Sequence, residues 1–430
     1  MSVVKELGEF LKPQTRFFLL TLGCKVNQSE SEELFYSLKE MGLQPASSMT
    51  DADIIFINSC AVTSEAEAKT RKAARRALKA GATAVAVLGC AADFSREKLD
   101  TETELKNKKM FFVNNKQKRE LLHHIKSNLL EGKPLVPYSG LRTRSFVKIQ
   151  DGCNQKCSYC IVPLVRGSET SVSHHEILRK LEILENLGVK EVVLTGVHLG
   201  RYRSPDDNRY DLPLLLEKIA SEFDFRIRLS SIDVFELSDR LIKTATMLKP
   251  KICPHFHIPL QSGSDRILKL MRRPYTSAYF LKKMEAIKNE FGTVALSTDV
   301  MVGFPTETEE DFHSTVKLAE AAGFMKLHVF RYSVRPGTPA ASLFPRVPAQ
   351  IVKEREEVLL DLSDRLSDKF LKTLDGLNAE ALVEDIENNI ATGKTEYYVD
   401  VKITSKVEIN QLYPVKIKYR NGELLGEVVK

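Results

Sequence analysis

The chain has 430 residues, of which 43% are hydrophobic, and a formal net charge of +6. That length fits two or three domains with filled cores, and the charge is too small to argue for nucleic-acid binding by itself. No apolar run approaches the roughly 20 residues of a membrane helix, and seven cysteines without a signal peptide predict a reducing compartment rather than a disulfide framework. The expectation is a soluble, cytoplasmic monomer.

Three similar units open the chain. RFFLLTLGC ends at Cys24, ADIIFINSC at Cys60 and TAVAVLGC at Cys90. Each is a short apolar, β-branched run that stops at a Gly-Cys or Ser-Cys turn. The first two pass into the helical patterns NQSESEELFYSLKEMG and SEAEAKTRKAARRALKAG. Strand–turn–helix units stack into a parallel sheet whose loops gather at the carboxyl edge, so these three thiols are expected on one rim. Singly each reads as a small buried hydrophobe; together they read as three ligands of an iron–sulfur cluster with one iron open. On the second helix Lys72, Arg75, Arg76 and Lys79 recur at i, i+3, i+4 and i+7. They make one basic stripe, which is either a solvated face or a phosphate contact.

GCNQKCSYC then sets Cys153, Cys157 and Cys160 at CxxxCxxC spacing. Zinc motifs usually pair CxxC with a second CxxC or with histidines to close a four-coordinate shell, and no such second pair lies nearby. Three thiolates instead suit three irons of a [4Fe–4S] cluster and leave the fourth free to bind a small molecule. From about Arg144 to Arg346 the chain reads as a βα repeat with strand candidates SFVKIQ, EVVLTG, RIRLSSI, HFHIPL, ALSTDVMVGF and KLHVFRY. Six parallel strands with right-handed crossovers make an open three-quarter barrel, although a closed barrel of another chemistry fits the spacing too. The loops TGVHLG, SSID, LQSGS, VGFPTE and YSVRPGT follow strand ends and have the polar composition of a binding rim. Cys253 has no partner at a useful spacing and reads as a packing residue.

Beyond the charged helical stretch VKEREEVLLDLSDRLSDKFLKTL lie short alternating runs and an Asn421-Gly422 hairpin signal. They predict a small β-barrel of a kind that often binds oligonucleotides. From Gly376 onward nine acids stand against seven bases, so RNA contact would need a local patch such as Lys416, Lys418 and Arg420, with Tyr397 or Tyr398 stacking. Removing this barrel is expected to weaken RNA binding and to spare the rest of the site.

These motifs together resemble the radical S-adenosylmethionine (SAM) methylthiotransferases. LGCKVNQSESE, INSCAVT, DGCNQKCSYCIVPLVRG, HIPLQSGSDRILKLMRRPYT, TDVMVGFPTET and FRYSVRPGTPAA are similar to family motifs in order along nearly the whole chain. Tyr159, just before the last cysteine of its loop, matches the aromatic residue frequent there. The resemblance implies an α/β fold in three parts: an N-terminal parallel α/β domain over residues 14–135, a central open (βα)6 partial TIM barrel over 139–370, and a TRAM-like β-barrel over 373–430. The chain departs from the family pattern at Ser29, where Tyr is usual, at Asp93, where Gln is frequent, and at Ser168, Glu169, Thr170 and Ser171, where Arg residues are common.

The resemblance also implies the chemistry. One [4Fe–4S] cluster, on Cys153, Cys157 and Cys160, would cleave SAM to a carbon radical. A second, on Cys24, Cys60 and Cys90, would carry the sulfur that becomes a methylthio group. Neither a base nor a nucleophile readily replaces hydrogen at carbon 2 of an adenine, so a cofactor must do so. Candidate SAM contacts are Thr195, Gly196 and Val197 at one strand end, where a backbone carbonyl could serve, then Ser230, Ser231 and Asp233, then Gln261 and Ser262, and Arg331. Arg331 or Arg335 could instead meet a tRNA phosphate. An electron donor such as flavodoxin or ferredoxin would be a partner, as would the anticodon stem-loop of tRNA. GCKVNQ and RLSSID resemble the branch acting on threonylcarbamoyladenosine. Isopentenyladenosine and a ribosomal-protein aspartate are the alternative substrates, and a non-catalytic iron–sulfur RNA-binding redox sensor is the alternative of another class. The threonylcarbamoyl carboxylate calls for a cation in the cavity, from Arg331, Arg335 or the C-terminal barrel.

Overall fold

The computed structural model describes residues 3–100, 109–127 and 143–429, and the domain boundary expected between residues 135 and 139 lies outside them. Helix α1 (Val3–Gly8) is followed by β1 (Arg16–Thr21), α2 (Lys25–Glu40), β2 (Gln44–Pro45), β3 (Ile54–Ser59), α3 (Ser64–Lys79), β4 (Ala84–Gly89), α4 (Ala92–Asp100), β5 (Lys109–Val113) and α5 (Asn115–Ser127). The strands form one parallel sheet in the order β2-β1-β3-β4-β5. β3 and β4 are buried along their whole length, which is why they read as unbroken apolar runs. β5 is an addition to the sequence reading, because KMFFV is too short for periodicity to tell strand from helix.

Next come β6 (Arg144–Lys148), β7 (Gln150–Asp151), α6 (Val162–Arg166), β8 (Thr170–Ser171), α7 (His174–Asn186), β9 (Glu191–Thr195), α8 (Leu212–Glu222), β10 (Arg226–Leu229), α9 (Asp239–Met247) and β11 (His255–His257). They are followed by α10 (Asp265–Leu270), α11 (Ser277–Phe291), β12 (Ala295–Val302), α12 (Glu309–Ala322), β13 (Lys326–Arg331) and α13 (Ala349–Thr373). β6, β9 and β10 pair in parallel, as do β11, β12 and β13. Bridges Ile227↔Ile252 and Ser231↔His257 join the two groups into one arc. β6 and β13 stand at opposite edges and do not pair, so the partial barrel is open and the closed alternative falls. Helices cover its outside through Leu181, Leu216, Leu241, Met284 and Leu362. The β7–β8 pair is antiparallel and clasps the loop that carries Cys153, Cys157 and Cys160. No helix of the described residues is long and apolar enough to cross a membrane.

The C-terminal strands β14 (Asn378–Glu387), β15 (Ile390–Thr395), β16 (Asp400–Ile403), β17 (Leu412–Arg420) and β18 (Glu423–Val428) close into a barrel of order β14-β15-β16-β18-β17. Asn421 and Gly422 take φ of 50° and 83°, the two positive values that a tight hairpin turn of this kind needs. The barrel docks on the partial barrel through buried arginines. Arg226 donates to the carbonyls of Glu380 at 2.6 Å and Lys394 at 2.9 Å, and Arg228 to that of Glu396 at 2.9 Å. Both arginines share the buried carboxylate of Glu191, at 2.6 and 2.8 Å. Burial alone would raise the Glu191 pKa, but Arg228 and Arg226 hold it down to about 2.

The barrel is therefore joined to the core by charge-assisted hydrogen bonds, and its removal would not spare the rest of the chain. Truncation from Asp375 onward would strip Arg226 and Arg228 of these carbonyl acceptors, a loss of about 1.5–3 kcal/mol for each charge-assisted hydrogen bond. The thermal midpoint of the remaining chain, followed by circular dichroism, should fall by about 5 °C or more. An unchanged midpoint would show that docking adds nothing.

Candidate functional site

All six cysteines of the two predicted trios line one cavity of about 1140 Å³. Cys24, Cys60 and Cys90 reach it from the carboxyl ends of β1, β3 and β4, and Cys153, Cys157 and Cys160 from the loop after β7. Tight backbone packing makes this possible. Gly23 has φ 113°, and a Cβ there would lie 2.6 Å from Cys60 Cβ, so only glycine lets the Cys24 and Cys60 loops approach. Gly152 has φ 72°, and a Cβ there would lie 2.0 Å from the Ser168 carbonyl oxygen.

The thiols are supplied with donors. The amides of Gln155 and Val162 donate to the sulfurs of Cys153 and Cys160 at 3.3 and 3.4 Å, and Arg273 donates to that of Cys157 at 3.4 Å. Asn115 donates to Cys90 Sγ at 3.4 Å. Such donors stabilise thiolate ligands and tune whatever they bind. Each trio thus offers the donor set of an iron–sulfur cluster with one iron left open. Cys253 is 1% exposed, lies outside the cavity lining, and burial pushes its thiol up to about 12. It is a packing residue, as expected.

A buried polar cluster ties the trios together. Glu30 of α2 accepts from Lys118 at 2.6 Å, Lys148 at 3.0 Å and Arg166 at 3.2 Å. Arg166 also reaches Asp151 at 2.8 Å and Asn27 Oδ1 at 2.6 Å. Asn27 in turn donates to the carbonyls of Leu22 and Ser59, both at 2.8 Å, which fixes the Cys24 and Cys60 turns. Asn115 links Cys90 to the carbonyl of Val165 at 2.8 Å. Burial opposes the charge on Glu30, yet Lys118, Arg166 and Lys148 hold its carboxyl well below the usual range. Ser29, where the chain departs from the family, donates to the Phe146 carbonyl at 2.9 Å and joins the same seam.

On the Cys153 side, His198 Nδ1 lies 2.5 Å from Glu236 and Nε2 lies 3.4 Å from Asp233. Arg273 pairs with Asp233 as well. Thr195, Gly196, Val197, Ser230, Ser231, Asp233, Gln261 and Arg331 all line the cavity, as expected of contacts to a molecule bound there. Two expectations need correction. Ser262 is fully buried beside Thr315 and accepts from the Ser264 amide, because its side chain turns under α10 rather than into the cavity. Arg335 is 2% exposed and paired with Glu67 of α3 at 2.8 Å, a bridge between domains and not a surface for RNA. Arg331 reaches the rim, but Glu356 already holds it at 2.9 Å.

Among the expected RNA residues, Lys72, Arg75, Arg76 and Lys79 form an exposed face of α3. Lys416, Lys418 and Arg420 are exposed on β17 and lie outside the cavity lining, since Val415 and Ile417 alternate with them into the barrel interior. The barrel instead turns Lys394, Tyr398, Asp400 and Lys402 to the cavity. Sequence reasoning missed Lys25, Glu30, Arg166, His198 and Arg273, although each sits inside or next to a motif singled out above.

Comparison with known proteins follows the same division. The model of the Radical SAM superfamily matches residues 147–319, and that of the uncharacterized protein family UPF0004 matches residues 16–111. The threonylcarbamoyladenosine tRNA methylthiotransferase MtaB of Bacillus subtilis (strain 168) is 34% identical over 435 residues, covering 95% of this chain and 96% of that protein. The tRNA-2-methylthio-N(6)-dimethylallyladenosine synthase of Hydrogenobaculum sp. (strain Y04AAS1) is 31% identical, covering 92% and 94%. In fold, the chain is similar to the radical S-adenosylmethionine methyltransferase TsrM from Kitasatospora setae, at a TM-score of 0.54 and 13% identity, over 76% of this chain and 77% of that one.

Glu30→Ala would leave three buried cations without their shared counterion, a change that costs about 3–5 kcal/mol. Urea unfolding of the variant should show that loss. The sign with pH follows from the depressed carboxyl. The stabilisation is present above pH ~4.5 and is lost as pH falls through the folded-state value below it.

Proposed function

This chain belongs to the radical SAM tRNA methylthiotransferases, and on that premise we propose that it methylthiolates carbon 2 of N6-threonylcarbamoyladenosine immediately 3′ of the anticodon. The observation that carries this reading is the charged and polar stretch of the cavity lining made by Lys25, His257, Asp299, His328, Lys394 and Tyr398. An isopentenyl group would call for an apolar wall, whereas a threonylcarbamoyl group brings a carboxylate and hydrogen-bonding atoms. The GCKVNQ and RLSSID motifs support the same branch. A base in a single-stranded anticodon loop can unstack into such a cavity at little cost.

In this reading Cys153, Cys157 and Cys160 would hold one [4Fe–4S] cluster and Cys24, Cys60 and Cys90 a second. When bound, these groups supply radical generation and sulfur transfer, which no side chain offers. The residues of the chain do the positioning. Arg273 and His198 fix the Asp233 carboxylate, which faces the SAM side of the cavity. Thr195, Ser230, Ser231 and Gln261 add polar groups to the same cavity lining. The Glu30–Arg166 seam keeps both trios facing one space, and the C-terminal barrel narrows it against water. A non-catalytic sensor would need neither the second trio nor this rim.

Two measurements test the proposal. Purified enzyme under reducing conditions, offered threonylcarbamoyl-modified and isopentenyl-modified tRNA side by side, should methylthiolate the first as read by nucleoside mass spectrometry. Action on the isopentenyl form alone would overturn the substrate. Replacing Cys153, Cys157 and Cys160 with Ala should leave about half the iron after anaerobic reconstitution and no 5′-deoxyadenosine. Loss of all iron would argue against two independent clusters.

A further inference from the structure

Lys25 is placed against its local environment. It is the first residue of α2, directly after Cys24, where the helix already presents positive charge and an acid would be favoured. No acid occupies that first turn. The side chain lines the cavity and is half-buried, and among the described residues no carboxylate or carbonyl accepts from its ammonium. Its Nζ stands 5.5 Å from the centre of the Tyr398 ring, which the turn between β15 and β16 delivers at φ 65°. The same ring faces the Arg228 guanidinium at 4.7 Å and Lys394 Nζ at 5.1 Å.

The neighbouring charges are accounted for. Arg226 and Arg228 share Glu191, Arg144 takes Glu384 at 2.7 Å, and Lys394 takes Asp400 at 2.5 Å. Asp299, on the same wall, is held by His257 at 3.3 Å. Among the described residues Lys25 has no carboxylate hydrogen-bonded to it, and the arginines behind Tyr398 add to the positive field around it. A lysine kept at a helix start, beside cations and without a hydrogen-bonded carboxylate, breaks local rules in the way that functional residues do. It lies next to a cysteine of the sulfur-carrying trio and therefore close to where the reacting base must sit.

We propose that Lys25 is the specificity-determining cation of the cavity and receives the carboxylate on the N6 substituent of the adenosine, with Tyr398 as the platform that positions it. This rests on the substrate reading above. It moves the expected cation from Arg331 and Arg335, which Glu356 and Glu67 occupy, to a residue of the N-terminal domain.

The test compares three anticodon stem-loop RNAs bearing a threonylcarbamoyl group, its methyl ester or an isopentenyl group, against the wild-type, Lys25→Met and Lys25→Arg holoenzymes. Equilibrium binding at fixed salt and the initial rate of methylthiolation are measured for each. The wild type should bind the free acid about 30-fold or more tighter than the ester, because the ester leaves a desolvated ammonium unpaired. Lys25→Met should bind acid and ester alike, and Lys25→Arg should retain most of the preference. Iron content and circular dichroism check that the variants keep clusters and fold. A wild type indifferent to esterification overturns the proposal without any variant. So does an unchanged acid preference in Lys25→Met, and so does an equal loss on all three RNAs, which would mark a phosphate contact. If the wild type acts on the isopentenyl RNA and ignores the threonylcarbamoyl one, the substrate reading itself has failed.

Discussion

The carboxylate of Glu30 sits where three pieces of the chain meet, and the geometry of the cavity depends on how it is neutralised. A lone buried carboxylate would be costly, so it must draw in cations. Those cations come from α5, from β6 and from the end of α6 at Arg166. Drawing them in sets the N-terminal sheet against the partial barrel in one orientation. Arg166 then passes the constraint to Asn27, which pins the turns that carry Cys24 and Cys60. The distance between the two cysteine rims is thus controlled by ordinary ion pairs several residues away from any sulfur.

A similar device holds the third part. Glu191 anchors Arg226 and Arg228, and these arginines spend their remaining donors on the backbone of the C-terminal barrel. Backbone carbonyls carry no side-chain identity, so that interface depends on the path of β14 and β15 more than on their residues. What it achieves is placement. Tyr398, Lys394 and Lys402 reach the cavity because the turn between β15 and β16 is held there.

Much of this was legible in the chain. The strands are β-branched runs ended by Gly-Cys or Ser-Cys turns, and the rule that parallel-strand loops share one edge placed the cysteines correctly. CxxxCxxC is a local signal and needs no tertiary knowledge. Charge partners are different, because an ion pair joins residues that have no fixed separation. Arg335 looked free in YSVRPGT, yet its partner Glu67 is 268 positions away in sequence. Ser262 was misread for a related reason. A residue after a strand end can face the cavity or turn beneath the next helix, and Gln261, with φ 66°, sends the chain the second way. The alternation along β17 was readable, but which side of the barrel would dock was not.

The order of the three parts along the chain has a consequence for how the protein is made. Synthesis runs from the amino end, so both cysteine trios exist before β14 to β18 have been translated. The C-terminal barrel closes only when β17 pairs back onto β14, and only then can Tyr398 be fixed over its wall. The stretch of lining that Lys394, Tyr398 and Lys402 supply is therefore the last part of the cavity to be completed.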